Sequence, residues 1–240
     1  VAPSRGLGDV YKRQIPMPFY INEKMYLEGV TLTQEEFYEK LKKDEPISTS
    51  QPSPADLCDL WDKLLRDYEE IVHIPMSSGL SASCDTAMGL AQEYDGRVHV
   101  VDNQRISVTQ RQSVLDALTL RDAGRNATQI KQVLEEQKLD SSIYITLETL
   151  KYLKKGGRVS SVTALAADVL NIKPVMHFST GTLDTYQKCR GMKKARKVMI
   201  DAMKHELETN FREEYEAGNV YLMAASSSTD EVTAEWMAQI

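Results

Sequence analysis

The stretch Ile71-Val72-His73-Ile74-Pro75-Met76-Ser77-Ser78-Gly79-Leu80-Ser81 decides the fold class. Its first four residues form a short apolar run of the kind that fills a buried strand. A serine- and glycine-rich turn follows, and residues 81–94 carry the spacing of a helix. Residues 98–101, Val-His-Val-Val, then form a second strand. Strand, helix and strand in this order make a βαβ unit, whose crossover sets the two strands side by side and parallel.

The same alternation extends in both directions. Toward the N terminus, Phe19 and Ile21, then Met25 and Leu27, alternate around Asn22-Glu23-Lys24 and predict a hairpin. Thr33 stands three residues before Glu36, a capping-box spacing that opens a helix to about Lys43. Ser53-Pro54-Ala55-Asp56 opens another, with Leu57, Leu60, Trp61, Leu64 and Leu65 on one apolar face. Toward the C terminus the pattern predicts helices over 107–123 and 128–137, a strand over 143–145 and a helix over 147–155. Lys154-Lys155-Gly156-Gly157 marks a break. Beyond it lie a helix at 162–170, extended segments at 173–178 and 182–190, a helix at 191–210, a strand at 220–224 and a last helix from Asp230. The expectation is an α/β protein with a mainly parallel sheet and flanking helices in residues 15–156, and a second α/β domain in residues 157–240. Residues 1–14, VAPSRGLGDVYKRQ, have no apolar period and no signal-peptide order. They resemble translated adaptor sequence and read as a non-native segment. The chain also stops one helix after the strand at 220–224, which reads equally as a truncation or as a free helical C terminus.

Composition narrows the function. The 240 residues carry 29 Lys and Arg against 35 Asp and Glu, a formal charge of −6, with 42% apolar and 27% charged residues. That is a folded composition, with no basic footprint for a nucleic acid. The longest apolar run, near residues 162–170, is far too short to span a bilayer. Cys58, Cys84 and Cys189 show no C-x-x-C spacing, and His73, His99, His177 and His205 are scattered. The chain therefore reads as cytoplasmic, with no disulfide framework, metal centre or cofactor.

Two loops carry the chemistry. Ile47-Ser48-Thr49-Ser50-Gln51-Pro52-Ser53 and residues 75–81 each set several hydroxyls before a helix, the second at the carboxyl end of a strand. Ligands of open α/β sheets collect there, where helix amides add a partial positive charge. Without G-x-x-x-x-G-K-[ST] or G-x-G-x-x-G, such a place suits a carboxylate better than a nucleotide phosphate. Simple capping accounts for Ser53. It accounts less well for Thr49, Ser50, Ser78 and Ser81 together.

Thr49-Ser50-Gln51-Pro52, Ser77-Ser78-Gly79-Leu80-Ser81, Val101-Asp102, Tyr152-Leu153-Lys154-Lys155-Gly156-Gly157-Arg158-Val159-Ser160, Ile172-Lys173-Pro174-Val175 and Lys188-Cys189-Arg190-Gly191, in this order, resemble the DegV family over residues 15–240. The resemblance implies two α/β domains that bind a long-chain fatty acid and present it to a separate kinase, which phosphorylates the carboxylate to an acyl phosphate. It makes the chain a carrier and not an enzyme. By position, it places the family's carboxylate-binding threonine at Thr49 and its partner serine at Ser81, with Arg158 and Arg190 near the head group. The chain departs from the family after Ser81, where Ala82-Ser83-Cys84-Asp85 replaces the usual Gly-Thr-aromatic, and it lacks the family's first strand and its late histidine.

Three rivals stand beside this reading. A serine hydrolase would use the serines of the strand-to-helix turn, although no G-x-S-x-G elbow is present. Cys84, in a first helical turn, could be an acidified reactive thiol or a buried small residue. A lipid-sensing regulatory module would differ from the carrier only in its partner.

Overall fold

The computed structural model describes residues 14–156, 171–179 and 181–239. The helix expected at 162–170 and Arg158 lie outside them.

The N-terminal hairpin forms as its alternation requires. β1 (Pro18–Ile21) pairs antiparallel with β2 (Lys24–Leu27), with Ile21 opposite Lys24. The two turn residues, Asn22 (φ 48°) and Glu23 (φ 66°), are both left-handed, as a type I′ turn demands. Thr33 then caps α1 (Gln34–Lys42): its hydroxyl accepts from the Glu36 N–H, and the Glu36 carboxylate accepts from the Thr33 N–H. β3 (Ile47–Thr49) returns along the other side of β1, with Phe19 opposite Thr49. Phe19, Ile21 and Leu32 are buried together under this sheet.

Ser53 caps α2 (Pro54–Leu64), and Pro54 fills its first position. β4 (Ile71–His73) and β5 (Val98–Val100) form the parallel pair that the opening sequence anticipates. Between them run α3 (Ser83–Ala91) and the 3-10 turn Gln92–Tyr94. Leu57, Trp61, Cys84, Ala87, Val98 and Val100 close the core between α2, α3 and this pair. α4 (Ser107–Asp122) and α5 (Ala127–Glu136) follow, and Ile130 and Leu134 of α5 pack on Val101.

Beyond them, β6 (Ile143–Thr146), β7 (Ile172–Ser179) and β8 (Thr182–Arg190) form an antiparallel sheet. α6 (Lys151–Gly156) lies between β6 and β7 in the chain. α7 (Met192–Glu208) buries Ala195 and Val198 against Val175 and Cys189 of the sheet. Two short helices, α8 (Arg212–Glu216) and α9 (Asp230–Met237), end the described chain.

Two expectations need correction. The sheet is not mainly parallel: among the described residues, β4 and β5 are the parallel pair, and the other two sheets are antiparallel. β6 takes its partner from the β7–β8 hairpin, antiparallel to β7. Residues 220–224 form no strand with any described residue, and Tyr221 and Leu222 are exposed. The chain divides into two compact units. One holds the residues through Asn103 with Asp116–Glu135, and the other holds Gln104–Leu115 with the residues from Glu136 onward.

His73 gives the first unit a pH dependence. Its imidazole meets Trp61 edge-on, with ring centroids 5.5 Å apart, and burial pulls it from 6.5 down to about 4. An unfolded chain takes up this proton near pH 6.5, and the folded one waits until near pH 4. Stability is therefore full above the higher value and falls as the pH is lowered through this window. At pH 5 the loss should be on the order of 2 kcal/mol, visible as a lower urea midpoint. In His73→Gln that part of the acid limb should be absent.

Candidate functional site

Thr49 closes β3 at the sheet edge, exposed, and its hydroxyl bonds to no other described residue. Ser50 follows with its N–H donated to the Pro18 carbonyl at 3.0 Å and its hydroxyl donated to the Gln51 carbonyl at 3.1 Å. The first loop is thus anchored to β1 by backbone, with the Thr49 hydroxyl left available.

The second loop is a tight turn built on Ser77. This residue is 1% exposed, and its carbonyl accepts the N–H groups of Leu80 at 3.1 Å and Ser81 at 3.2 Å. Its hydroxyl accepts from the Gly79 N–H at 3.2 Å. Ser81 Oγ accepts the Ser83 N–H at 3.2 Å and donates to Ser83 Oγ at 3.0 Å, so it shields an early amide of α3. Ala82, not Ser81, is the N-cap of α3, so Ser81 covers the Ser83 N–H from one residue outside the cap, and its proton goes to a neutral hydroxyl, a weaker acceptor than a carboxylate.

Ser78 is held differently. Its hydroxyl donates to Asp102 Oδ2 at 2.7 Å and its N–H to Oδ1 at 3.4 Å. The contact follows from the parallel pairing, because adjacent parallel strands end side by side. The loop after β4 and the residue just past β5 must then be neighbours. The Asp102 N–H donates to Glu135 Oε1 at 3.1 Å, and Lys131 Nζ donates to the same oxygen at 2.7 Å and to the Val100 carbonyl. Asp102 belongs to the Val101-Asp102 pair of the family resemblance but is not among the site residues that the sequence anticipates. Its place at a strand's carboxyl end was the available signal. Gln51 and Thr86 are also new, and their side chains hydrogen-bond to one another.

This geometry bears on the rivals. The partner of Ser78 Oγ is a carboxylate, whereas the Ser-His-Asp arrangement puts an imidazole there. Ser142, His177 and Glu206 do meet in the other unit, but His177 Nε2 faces both Ser142 Oγ (2.8 Å) and Glu206 Oε1 (3.6 Å). One nitrogen in both contacts gives no relay across the ring. Cys84 is completely buried, and burial, followed by the charges of Asp102 and Asp85, pushes its thiol up to about 12. It is a core residue and not an activated nucleophile, which overturns that rival.

Arg190, the last residue of β8, is exposed opposite Ile172, in the other unit from Thr49, Ser50, Ser78 and Ser81. Among the described residues, no helix is long and apolar enough to cross a membrane, and no group of His, Cys, Asp and Glu could hold a metal ion.

Known proteins place this chain. A family model described as uncharacterised protein, DegV family, matches residues 11–239. A DegV domain-containing protein of Deinococcus radiodurans is 34% identical over 182 residues, covering 75% of this chain and 65% of the relative. One from Staphylococcus aureus is 30% identical over 176 residues, and the chain spans 63% of its length. The solved structure of a fatty-acid-binding DegV family protein from Thermus thermophilus superposes with a TM-score of 0.73 at 29% identity, covering 81% of this chain and 70% of that one. A stearic-acid-binding protein from Eubacterium ventriosum shares the fold over 98% of this chain and 82% of its own, with a TM-score of 0.81 at 21% identity. With a family match over nearly its whole length and relatives at this level of identity, the chain belongs to the DegV family.

Proposed function

We propose that this chain is a non-catalytic cytoplasmic carrier that binds a long-chain fatty acid by its carboxylate and presents it to a separate kinase for acyl-phosphate formation. Residues 15–156 form the lipid-binding domain in this reading, and no cofactor is needed. The supporting observation is the convergence of two hydroxyl loops on one unit, linked through Gln51 and Thr86, in a chain 29% identical to a protein described as fatty-acid-binding.

Thr49 and Ser81 donate to the carboxylate. Ser81 turns its proton from Ser83 Oγ to the stronger acceptor while keeping the Ser83 N–H. Ser78 and Ser50 line the site with their own donors directed to Asp102 and to the Gln51 carbonyl, so they shape the loops around the head group. Arg190 and Arg158 supply positive charge for the acyl phosphate or for docking the kinase. Most of the affinity comes from the acyl chain, at about 0.8 kcal/mol per buried methylene.

Native mass spectrometry of the protein purified from bacteria tests the reading. A folded wild type should carry an added mass equal to one fatty acid, and a folded wild type without lipid overturns it.

A further inference from the structure

Gln51 and Thr86 lie outside the set of hydroxyls assigned to the carboxylate, yet their side chains join the elements that carry it. β3, which ends at Thr49, pairs with β1, and β4, which leads toward Ser81, pairs with β5; the two sheets share no ladder. Backbone hydrogen bonding therefore sets each loop within its own sheet, not one loop against the other.

The side chains do that. Gln51 Nε2 donates to Thr86 Oγ1 at 3.2 Å, and Thr86 Oγ1 donates to Gln51 Oε1 at 3.3 Å, so one amide and one hydroxyl close a two-bond ring. Both residues are half-buried, which shields the ring from competing water. Gln51 follows Thr49 by two residues, and Thr86 follows Ser81 by five, on the helix that Ser81 leads into. A threonine inside a helix commonly turns its hydroxyl back to its own preceding turn. This one reaches out to the other loop.

The distance matters because hydrogen bonds to a carboxylate are short, about 2.5–2.7 Å from a hydroxyl, and weaken steeply with misalignment. Core packing of α2 on α3 fixes the helices that follow the two loops but not the hydroxyls themselves, and a displacement of about 1 Å between Thr49 and Ser81 is enough to break the geometry. Resting on the carboxylate-binding reading above, we propose that Gln51 and Thr86 are positioning residues: their paired hydrogen bonds hold Thr49 and Ser81 at the spacing a fatty-acid carboxylate requires. They thereby set the preference for a free acid over a chain of equal length that lacks the carboxylate.

The test displaces a fluorescent fatty acid from the delipidated 240-residue chain with hexadecanoate or with 1-hexadecanol. Thr86→Val keeps the side-chain shape without the hydroxyl. It should weaken hexadecanoate roughly three- to tenfold while leaving 1-hexadecanol within about twofold. Thr86→Ser should restore the acid preference. Gln51→Ala, in a loop, should show the same loss, and combining it with Thr86→Val should add little, as expected for two halves of one interaction. If the helix variant does not fold, Gln51→Ala decides. Unchanged hexadecanoate affinity in a variant of a protein that binds it, or equal losses for acid and alcohol, overturns the positioning role and leaves the fatty-acid reading intact. A wild type that binds no hexadecanoate overturns both.

Discussion

Replacing Thr49 and Ser81 together with alanine should lower fatty-acid affinity about 100-fold, because each removes a hydrogen bond to a charged acceptor worth about 1.5 kcal/mol. Lipid copurifying with the protein should fall accordingly in native mass spectra. Some lipid should remain, since burial of the acyl chain is untouched. The two single variants, each about tenfold weaker, should separate in a thermal melt. Thr49 is exposed at the end of β3 and bonds through its side chain to no described residue, so Thr49→Ala should lose lipid with little loss of stability in the lipid-free protein. Ser81 also covers the Ser83 N–H at the start of α3, so Ser81→Ala should lose lipid and about 1 kcal/mol of stability together. Full lipid occupancy in Thr49→Ala would remove that residue from the site.

The features that make this experiment possible were legible in the sequence to different depths. Local chemistry was readable: the Thr33–Glu36 capping box, Ser53 before Pro54, and the hairpin turn at Asn22 all depend on neighbours within a few residues. The loop holding Ser77, Ser78 and Ser81 was readable for the same reason. Strand direction was not. The order of strands and helices suggested repeated crossovers, but β6 pairs with β7, which follows α6, and antiparallel pairing there is a choice between distant segments that apolar patterning does not encode. Residues 220–224 show the converse: an apolar, strand-like run is a strand only when a ladder accepts it. At the site, the local sequence of Thr49 reads as loop, yet it is the last residue of a strand, because Ile47–Thr49 finds β1 about thirty residues back in the chain. Asp102, Gln51 and Thr86 needed that same long-range knowledge. Each makes its decisive contact across 24 or 35 residues of sequence.

Glu206 is the strongest case of a contact hidden from sequence, and Glu206→Ala should destabilise the protein by about 3 kcal/mol. Ala195, Val198, Ala202 and Glu206 form the buried stripe of α7, so the glutamate occupies what the helical period marks as a core position, at 7% exposure. Two hydroxyls from β6 and its approach make that tolerable: Tyr144 donates to Glu206 Oε1 at 2.7 Å and Ser142 at 3.1 Å. Tyr144 in turn stacks on His177 of β7, with ring centroids 4.6 Å apart. Removing the carboxylate leaves the part-buried Tyr144 hydroxyl without its acceptor, takes one of two partners from Ser142, which keeps His177 Nε2 at 2.8 Å, and opens a void beneath the sheet, so the combined loss exceeds that of an ordinary hydrogen bond. Glu206→Gln keeps an acceptor and should lose less, about 1 kcal/mol, as should Tyr144→Phe. Combined, the last two should lose less than their sum, because both act on one contact. Burial, reinforced by Glu206, pushes the Tyr144 phenol up, so an unfolded chain ionises this tyrosine before the folded one does. Stability should therefore fall as the pH rises above about 10, and Tyr144→Phe should blunt that alkaline limb. Urea midpoints at pH 7 and pH 10.5 measure both effects. Since Glu206 and the residues bonded to it lie in the other unit from Thr49 and Ser81, Glu206→Gln should leave hexadecanoate affinity unchanged, which separates the stability of the fold from the chemistry of the site.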